Sequence, residues 1–269
     1  MPASSSTRPV PKPDQANAED YELLLPQGQD QGQGANTPTS PAIAPMGQEE
    51  QFTKSEYRNG DTMANYAALC ASLLTLVVTW FAIFSNDPSG LGWFALHPPL
   101  QVLAMTIFTY GILTLQPTSQ PKTKAAGLSR HQVAMFMLGL PFITIGSFSV
   151  WYNKYSKDKP HLISWHGVFG FLCMMWLYGQ VALGGGSVWF GGAAFGGGMK
   201  AKALWKYHRL SGYILFPLFL FTINLGGAWS GWAERNTQPG MRFIAYTVCP
   251  VVVLASVYWR VRLSKMKFF

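Results

Sequence analysis

Acidic side chains all but vanish from this chain after residue 61. Of its twelve Asp and Glu, nine lie in residues 1–61, and only Asp87, Asp158 and Glu234 follow. Sixteen Lys and Arg lie beyond that point, so residues 62–269 carry +13 although the whole chain is +8. Charged residues make up 12% of the sequence, about half of the ~25% usual for a soluble domain. That scarcity excludes an ordinary soluble enzyme. Nucleic acid is not an expected partner, because the cations sit between long apolar runs. Cysteine is also scarce. Cys70, Cys173 and Cys249 give neither a disulfide framework nor a zinc pattern, and each falls in an apolar segment, where a free Cys acts as a small hydrophobe.

What is present divides the chain in two. Residues 1–60 are rich in Pro, Gln, Ser, Ala and Gly and bury too little apolar surface to offset ordering, so they read as a disordered tail. No positive segment followed by an apolar one opens the chain, so no cleavable signal peptide is expected. Within the tail, Glu19-Asp20-Tyr21-Glu22-Leu23-Leu24-Leu25 resembles an acidic dileucine sorting signal. A chance leucine cluster reads equally well.

Six uncharged stretches follow, at residues 62–84, 94–115, 131–152, 161–183, 210–232 and 243–259. The first five have the ~20 residues a helix needs to cross the hydrocarbon core. The sixth is shorter, but Arg242, Arg260 and Arg262 flank it and can snorkel to the headgroups. The runs are continuous rather than alternating, which argues against barrel strands. The expected fold is therefore an all-α membrane protein of six transmembrane helices spanning residues 61–262, with a basic tail at 263–269. Six crossings put both termini on one side. That side holds thirteen Lys and Arg near the spans against five opposite, which places the termini in the cytosol.

The five histidines are His97, His131, His161, His166 and His208. His97, His131 and His208 open spans two, three and five, and His166 lies one turn into span four. Consecutive helices run in opposite directions. His97 and His166 therefore belong near the non-cytosolic face, and His131 and His208 near the cytosolic face. A lone histidine at a span end is often only an interfacial polar residue. Four of them, paired by face, are harder to assign to chance. Neither pair has the Cys or carboxylates that would complete a zinc set. Two neutral imidazoles on opposite sides are what the axial positions of haem iron require. Small residues on the same helical faces, Gly167, Gly170, Ser211 and Gly212, would make room for a flat macrocycle, or simply let helices pack. The central four helices would form the bundle that holds two b haems. With no Cys-x-x-Cys-His, attachment would be non-covalent.

Taken in order, Leu96-His97-Pro98-Pro99-Leu100, Arg130-His131-Gln132, Ser164-Trp165-His166-Gly167 and Tyr207-His208-Arg209-Leu210-Ser211-Gly212 resemble the cytochrome b561 family, in particular its domain-containing transmembrane reductase branch. The resemblance covers about residues 62–260. It implies two b haems ligated by His97 with His166 and by His131 with His208. It also implies electron transfer from cytosolic ascorbate to monodehydroascorbate or ferric iron across the membrane. The Gly-rich stretch 184–198 is longer than the family leads one to expect. No Gly-Lys-Ser/Thr follows it and no strand precedes it, so it is not a phosphate loop and reads as a flexible cytosolic connector.

Substrate residues are expected at both faces. Lys124, Arg130 and Arg209 lie nearest the cytosolic histidines and could concentrate ascorbate, a monoanion. Positive-inside bias and lipid headgroups account for much of the same charge. His161, five residues before His166, falls about 140° from it around an ideal helix, so it would serve ferric iron or a radical rather than the same haem. Two rival readings remain: a haem subunit fed by a protein partner, and a histidine-relay transporter without haem. A homodimer is compatible with the sequence. The dileucine motif favours an endosomal or vacuolar membrane over the plasma membrane.

Overall fold

The computed structural model describes residues 56–116 and 118–262. The tail, with its dileucine motif, falls outside the described residues up to position 55, and so does the basic segment 263–269. Six helices are long and apolar enough to cross a bilayer: α1 (Asp61–Phe84), α2 (Pro88–Leu113), α3 (Pro121–Tyr155), α4 (Trp165–Gly186), α5 (Gly198–Gly227) and α6 (Pro239–Arg260). Among the described residues no strand occurs.

Local chemistry sets the helix ends. Prolines stand at the starts of α2, α3 and α6, where the missing N–H costs nothing. Ser164 caps α4, its Oγ accepting from Gly167 N at 3.2 Å. Pro141 and Pro250 lie inside α3 and α6, each two residues past the end of a π-helical turn, Val133–Gly139 and Ile244–Val248. The widened turn absorbs the carbonyl that proline cannot bond.

These ends revise several expected boundaries. The third span begins at Pro121, ten residues before His131, because a basic amphipathic segment continues the apolar helix. The fourth begins at Trp165, so His161 precedes it. The fifth stops at Gly227, and residues 231–236 form a separate short helix capped by Ser230. The sixth reaches 22 residues, ample for a crossing.

Helix α1 packs on α2 and α6, α2 packs on α3, and α4 packs on α5. Helices α2–α5 form the central bundle. Side-chain hydroxyls and amides bind the outer helices in a medium that offers no water. Thr75 Oγ1 donates to Ala245 O at 2.9 Å, and Asn224 Nδ2 donates to Tyr246 O at 2.8 Å and Thr247 Oγ1 at 2.9 Å. Outward faces carry exposed Val77, Phe81, Phe148, Leu172 and Val251, as a lipid-facing surface requires. At mid-bundle, buried Phe108 of α2 meets Phe219 of α5 with ring centroids 6.2 Å apart.

Candidate functional site

The four span histidines come together as two facing pairs. His97 of α2 meets His166 of α4 with ring centroids 5.9 Å apart and planes at 79°. His131 of α3 meets His208 of α5 at 6.3 Å and 88°. Two imidazoles bound to opposite sides of one metal, at about 2 Å per bond, bring their centroids roughly 6 Å apart. The pairs sit at opposite ends of the bundle, as the alternation of helix directions predicts.

The second nitrogen of three rings is committed to a carbonyl. Nδ1 of His97 lies 3.0 Å from Gly146 O, that of His131 lies 3.1 Å from Gly111 O, and that of His166 lies 2.9 Å from Thr222 O. A carbonyl only accepts, so each Nδ1 carries the proton and donates it. Nε2 then keeps its lone pair, which is the form a metal ligand needs. His208 differs, because its Nδ1 is buried and has no hydrogen-bond partner.

Glycines on the facing helices make the room. A Cβ at Gly226 would lie 2.6 Å from Cε1 of His166, and one at Gly184 would lie 2.6 Å from Cε1 of His208. Neither position admits a side chain without displacing the ring. A Cβ at Gly167, Gly170 or Gly212 would have no imidazole atom among its nearest neighbours. A Cβ at Gly170 would face Thr222 and one at Gly212 would face Gln180, while Ser211 Oγ accepts from Trp176 Nε1 at 2.6 Å. These three contacts join α4 and α5. Gly184 lies in the stretch expected to be a flexible connector. Residues 184–186 are instead the last turn of α4, and Trp189 folds back against Gly185 and onto Phe136, with ring centroids 4.7 Å apart.

Each pair thus sets two imidazoles face to face at the spacing of two ligands on one metal, and His97, His131 and His166 keep the Nε2 lone pair free. Among the described residues no group of three or more His, Cys, Asp or Glu could hold a metal ion by itself.

The surroundings of the two ends differ. At the His97 end, Phe94 lies 6.4 Å from the His97 ring and 5.5 Å from Trp232. His161 is exposed, stands before α4 in the loop, and stacks on Trp151 at 5.9 Å and 28°. Ser164 caps the helix only after His161, so helical spacing does not set the angle between His161 and His166. At the His131 end, Lys124 lies on the first turns of α3 and Arg209 follows His208 on α5. Arg130 lines a cavity shared with α1, α2 and α6. Glu56, just before α1, fastens this end. Its Oε1 accepts from Ser119 N, Ser119 Oγ, Gln120 N and Thr123 Oγ1 at 2.6–2.9 Å. Burial pushes its carboxyl up, but these four donors outweigh burial and hold it below the usual glutamate value.

The sequence profile of eukaryotic cytochrome b561 matches residues 96–234. That stretch spans all four paired histidines. A transmembrane reductase of Bos taurus is 28% identical over 191 residues, which cover 68% of this chain and 81% of the relative.

Proposed function

Because the chain belongs to the eukaryotic cytochrome b561 family, whose members bind haem b, we propose that it passes electrons across the membrane from cytosolic ascorbate to monodehydroascorbate or ferric iron on the other side. His97 with His166 would hold one non-covalent haem b, and His131 with His208 a second. The observation that carries this reading is the facing of two imidazoles at each end of the bundle, three of them with Nδ1 tied to a carbonyl. When bound, the haems supply the one-electron redox chemistry.

The chain's own residues do the rest. The Nδ1–H bonds fix ring orientation and raise ligand basicity. Gly184 and Gly226 give the rings room to lie in place. Phe108 and Phe219 fill the centre of the bundle between its two ends and keep it dry. Thirteen cations against five orient the histidine 131/208 end to the cytosol. There Lys124 and Arg209 draw the ascorbate anion toward His131 and His208. At the other end exposed His161, with Lys157 and Lys159 in the same loop, meets an anionic radical or a ferric chelate. The Bos taurus relative, a transmembrane reductase, supports this class of activity.

The test uses haem-loaded protein in sealed vesicles with ascorbate on the His131/His208 side and ferric citrate on the other. The expected result is rapid reduction of the haem bands and ferrous iron appearing only outside. Bands that ascorbate leaves oxidised, while dithionite reduces them, would assign the donor role to a protein partner instead.

A further inference from the structure

The connector between α4 and α5 lies at the His131/His208 end of the bundle, and its chemistry is not that of a loop in water. From Gly184 to Met199 there is no Asp, Glu, Lys or Arg. The one hydroxyl, that of Ser187, is buried, with Oγ donating to Gly184 O at 2.8 Å. The side chains left exposed are those of Trp189, Phe190, Ala193, Ala194, Phe195 and Met199. Apart from the Trp189 indole N–H, this surface is apolar and gains by leaving water.

Two of the three rings fold back on α4. A Cβ at Gly185 would lie 2.5 Å from the Trp189 ring, and one at Gly186 would lie 2.9 Å from that of Phe195. Both glycines thus leave a seat for an aromatic ring. Gly197 N donates to Gly192 O at 3.0 Å and closes the loop on itself. Phe190 does the opposite and is 94% exposed. Its backbone is left-handed, with φ 54°, as are those of Gly191 and Gly192, with φ 66° and 76°. Glycine adopts this conformation freely, but phenylalanine does so against its steric preference. A strained backbone therefore holds an apolar ring clear of the protein.

Trp189 sets the level of the loop. Its ring meets that of Phe136 on α3, with centroids 4.7 Å apart. Phe136 stands five residues beyond His131, about 7 Å further toward the bilayer centre at ~1.5 Å per residue. It lies beside exposed Val133 and Met137, in the part of α3 that crosses the bilayer. The first charge after the loop is that of Lys200, which is exposed. Aromatic rings followed by a cation are the pattern of a segment lying in the membrane interface, with the cation at the headgroups.

We propose that this connector is a membrane-inserted wedge, which places Phe190 among the phospholipid acyl chains of the leaflet at the His131/His208 end. Trp189 and Phe195 pin it to α3 and α4. The occupant is lipid rather than protein because the loop rests on a lipid-facing ring below the level of His131, where a soluble partner would have to pass the headgroups. Gly185, which seats Trp189, is next to Gly184, which abuts His208. The lipid contact therefore bears on the helical turn that clears space for this imidazole.

The test uses the haem-loaded full chain, one copy per phosphatidylcholine nanodisc, with exposed Cys70 replaced by Ala; Cys173 and Cys249 are buried. Phe190→Cys is labelled with a polyethylene-glycol maleimide beside two references. Ala125→Cys lies exposed on the first turns of α3, and Leu172→Cys lies on the outward face of α4. Nothing in the chain covers position 190, so in a single-chain disc only lipid can protect it. Phe190→Cys should react on the order of tenfold more slowly than Ala125→Cys and close to the rate of Leu172→Cys, since only the thiolate reacts and apolar surroundings suppress it. An unchanged Soret band shows that each variant is folded. A benzophenone amino acid at position 190 then identifies the cover. On irradiation it should gain the mass of one phosphatidylcholine, as the same residue does at position 172. Labelling of position 190 at the Ala125→Cys rate overturns the proposal. So does protection with no lipid adduct at 190 while 172 gives one, or an adduct to protein instead of lipid in native membranes.

Discussion

The Thr222 carbonyl lies 2.9 Å from Nδ1 of His166, and Gly226, one turn further along α5, abuts the same ring. One helix therefore both holds the proton on Nδ1 and clears the space in which the imidazole lies. In α4, Gly184 stands in the same relation to His208.

The first prediction follows from that space. Gly226→Val and Gly184→Val should each cost about one of two haems, because even a Cβ would fall 2.6 Å from the ring. Gly179→Ala on α4 has nothing within 4 Å of its new Cβ and should leave haem content as it is. Iron per chain and Soret absorbance measure the three side by side. Full haem in Gly226→Val would remove the glycine from the binding account.

The two pairs should be unequal in sided vesicles. His131→Ala and His208→Ala should abolish reduction by ascorbate on the cytosolic side. His97→Ala and His166→Ala should leave about half of the haem reducible and stop delivery across the membrane. The opposite pattern would invert the orientation.

Lys124 and Arg209 are expected to hold the ascorbate anion. Losing a charge-assisted contact typically costs ~1.5–3 kcal/mol, roughly tenfold to hundredfold in affinity. Lys124→Gln with Arg209→Gln should raise the half-saturating ascorbate concentration by at least tenfold at constant haem content. If these side chains only meet lipid headgroups, the shift should be small and vanish in high salt. Saturation curves at two ionic strengths separate the outcomes.

Glu56 gives a pH dependence with a definite sign. Its carboxyl is held below the ordinary glutamate value by four hydrogen bonds. The clamp is therefore intact above that value and is lost as pH falls through the lowered one. Hydrogen exchange at Ser119 and Gln120 should accelerate over that acid window, and Glu56→Gln should exchange faster at neutral pH as well. Equal protection in wild type and Glu56→Gln at pH 7 would contradict the clamp.

The existence of six spans and the pairing of histidines by face follow from uncharged run lengths and alternating helix direction. Both are written in single stretches of chain. The start of α3 was hidden by Lys122, Lys124 and Arg130, whose charges interrupt an apolar signal although the helix runs on to Pro121. The place of His161 turned on a single cap, Ser164. The glycines that seat the rings carry no local sequence signal, since Gly226 and Gly184 act on a histidine of another helix. The i+3 and i+4 logic that singled out Gly167 and Gly170 sees only its own helix. The signal to look for is a glycine at the far end of the helix that faces the ligand's own. Arg260, at the edge of the last span, reads as a snorkelling anchor until the fold turns it onto the ends of α1 and α2.

The most direct measurement is the haem stoichiometry and spin state of the purified full chain, by pyridine haemochrome, iron analysis and low-temperature electron paramagnetic resonance. The account predicts two non-covalent b haems per chain, both low spin, falling to about one when any one of His97, His131, His166 or His208 is replaced by Ala. A colourless protein, a single haem, or a high-spin signal in the wild type would contradict it.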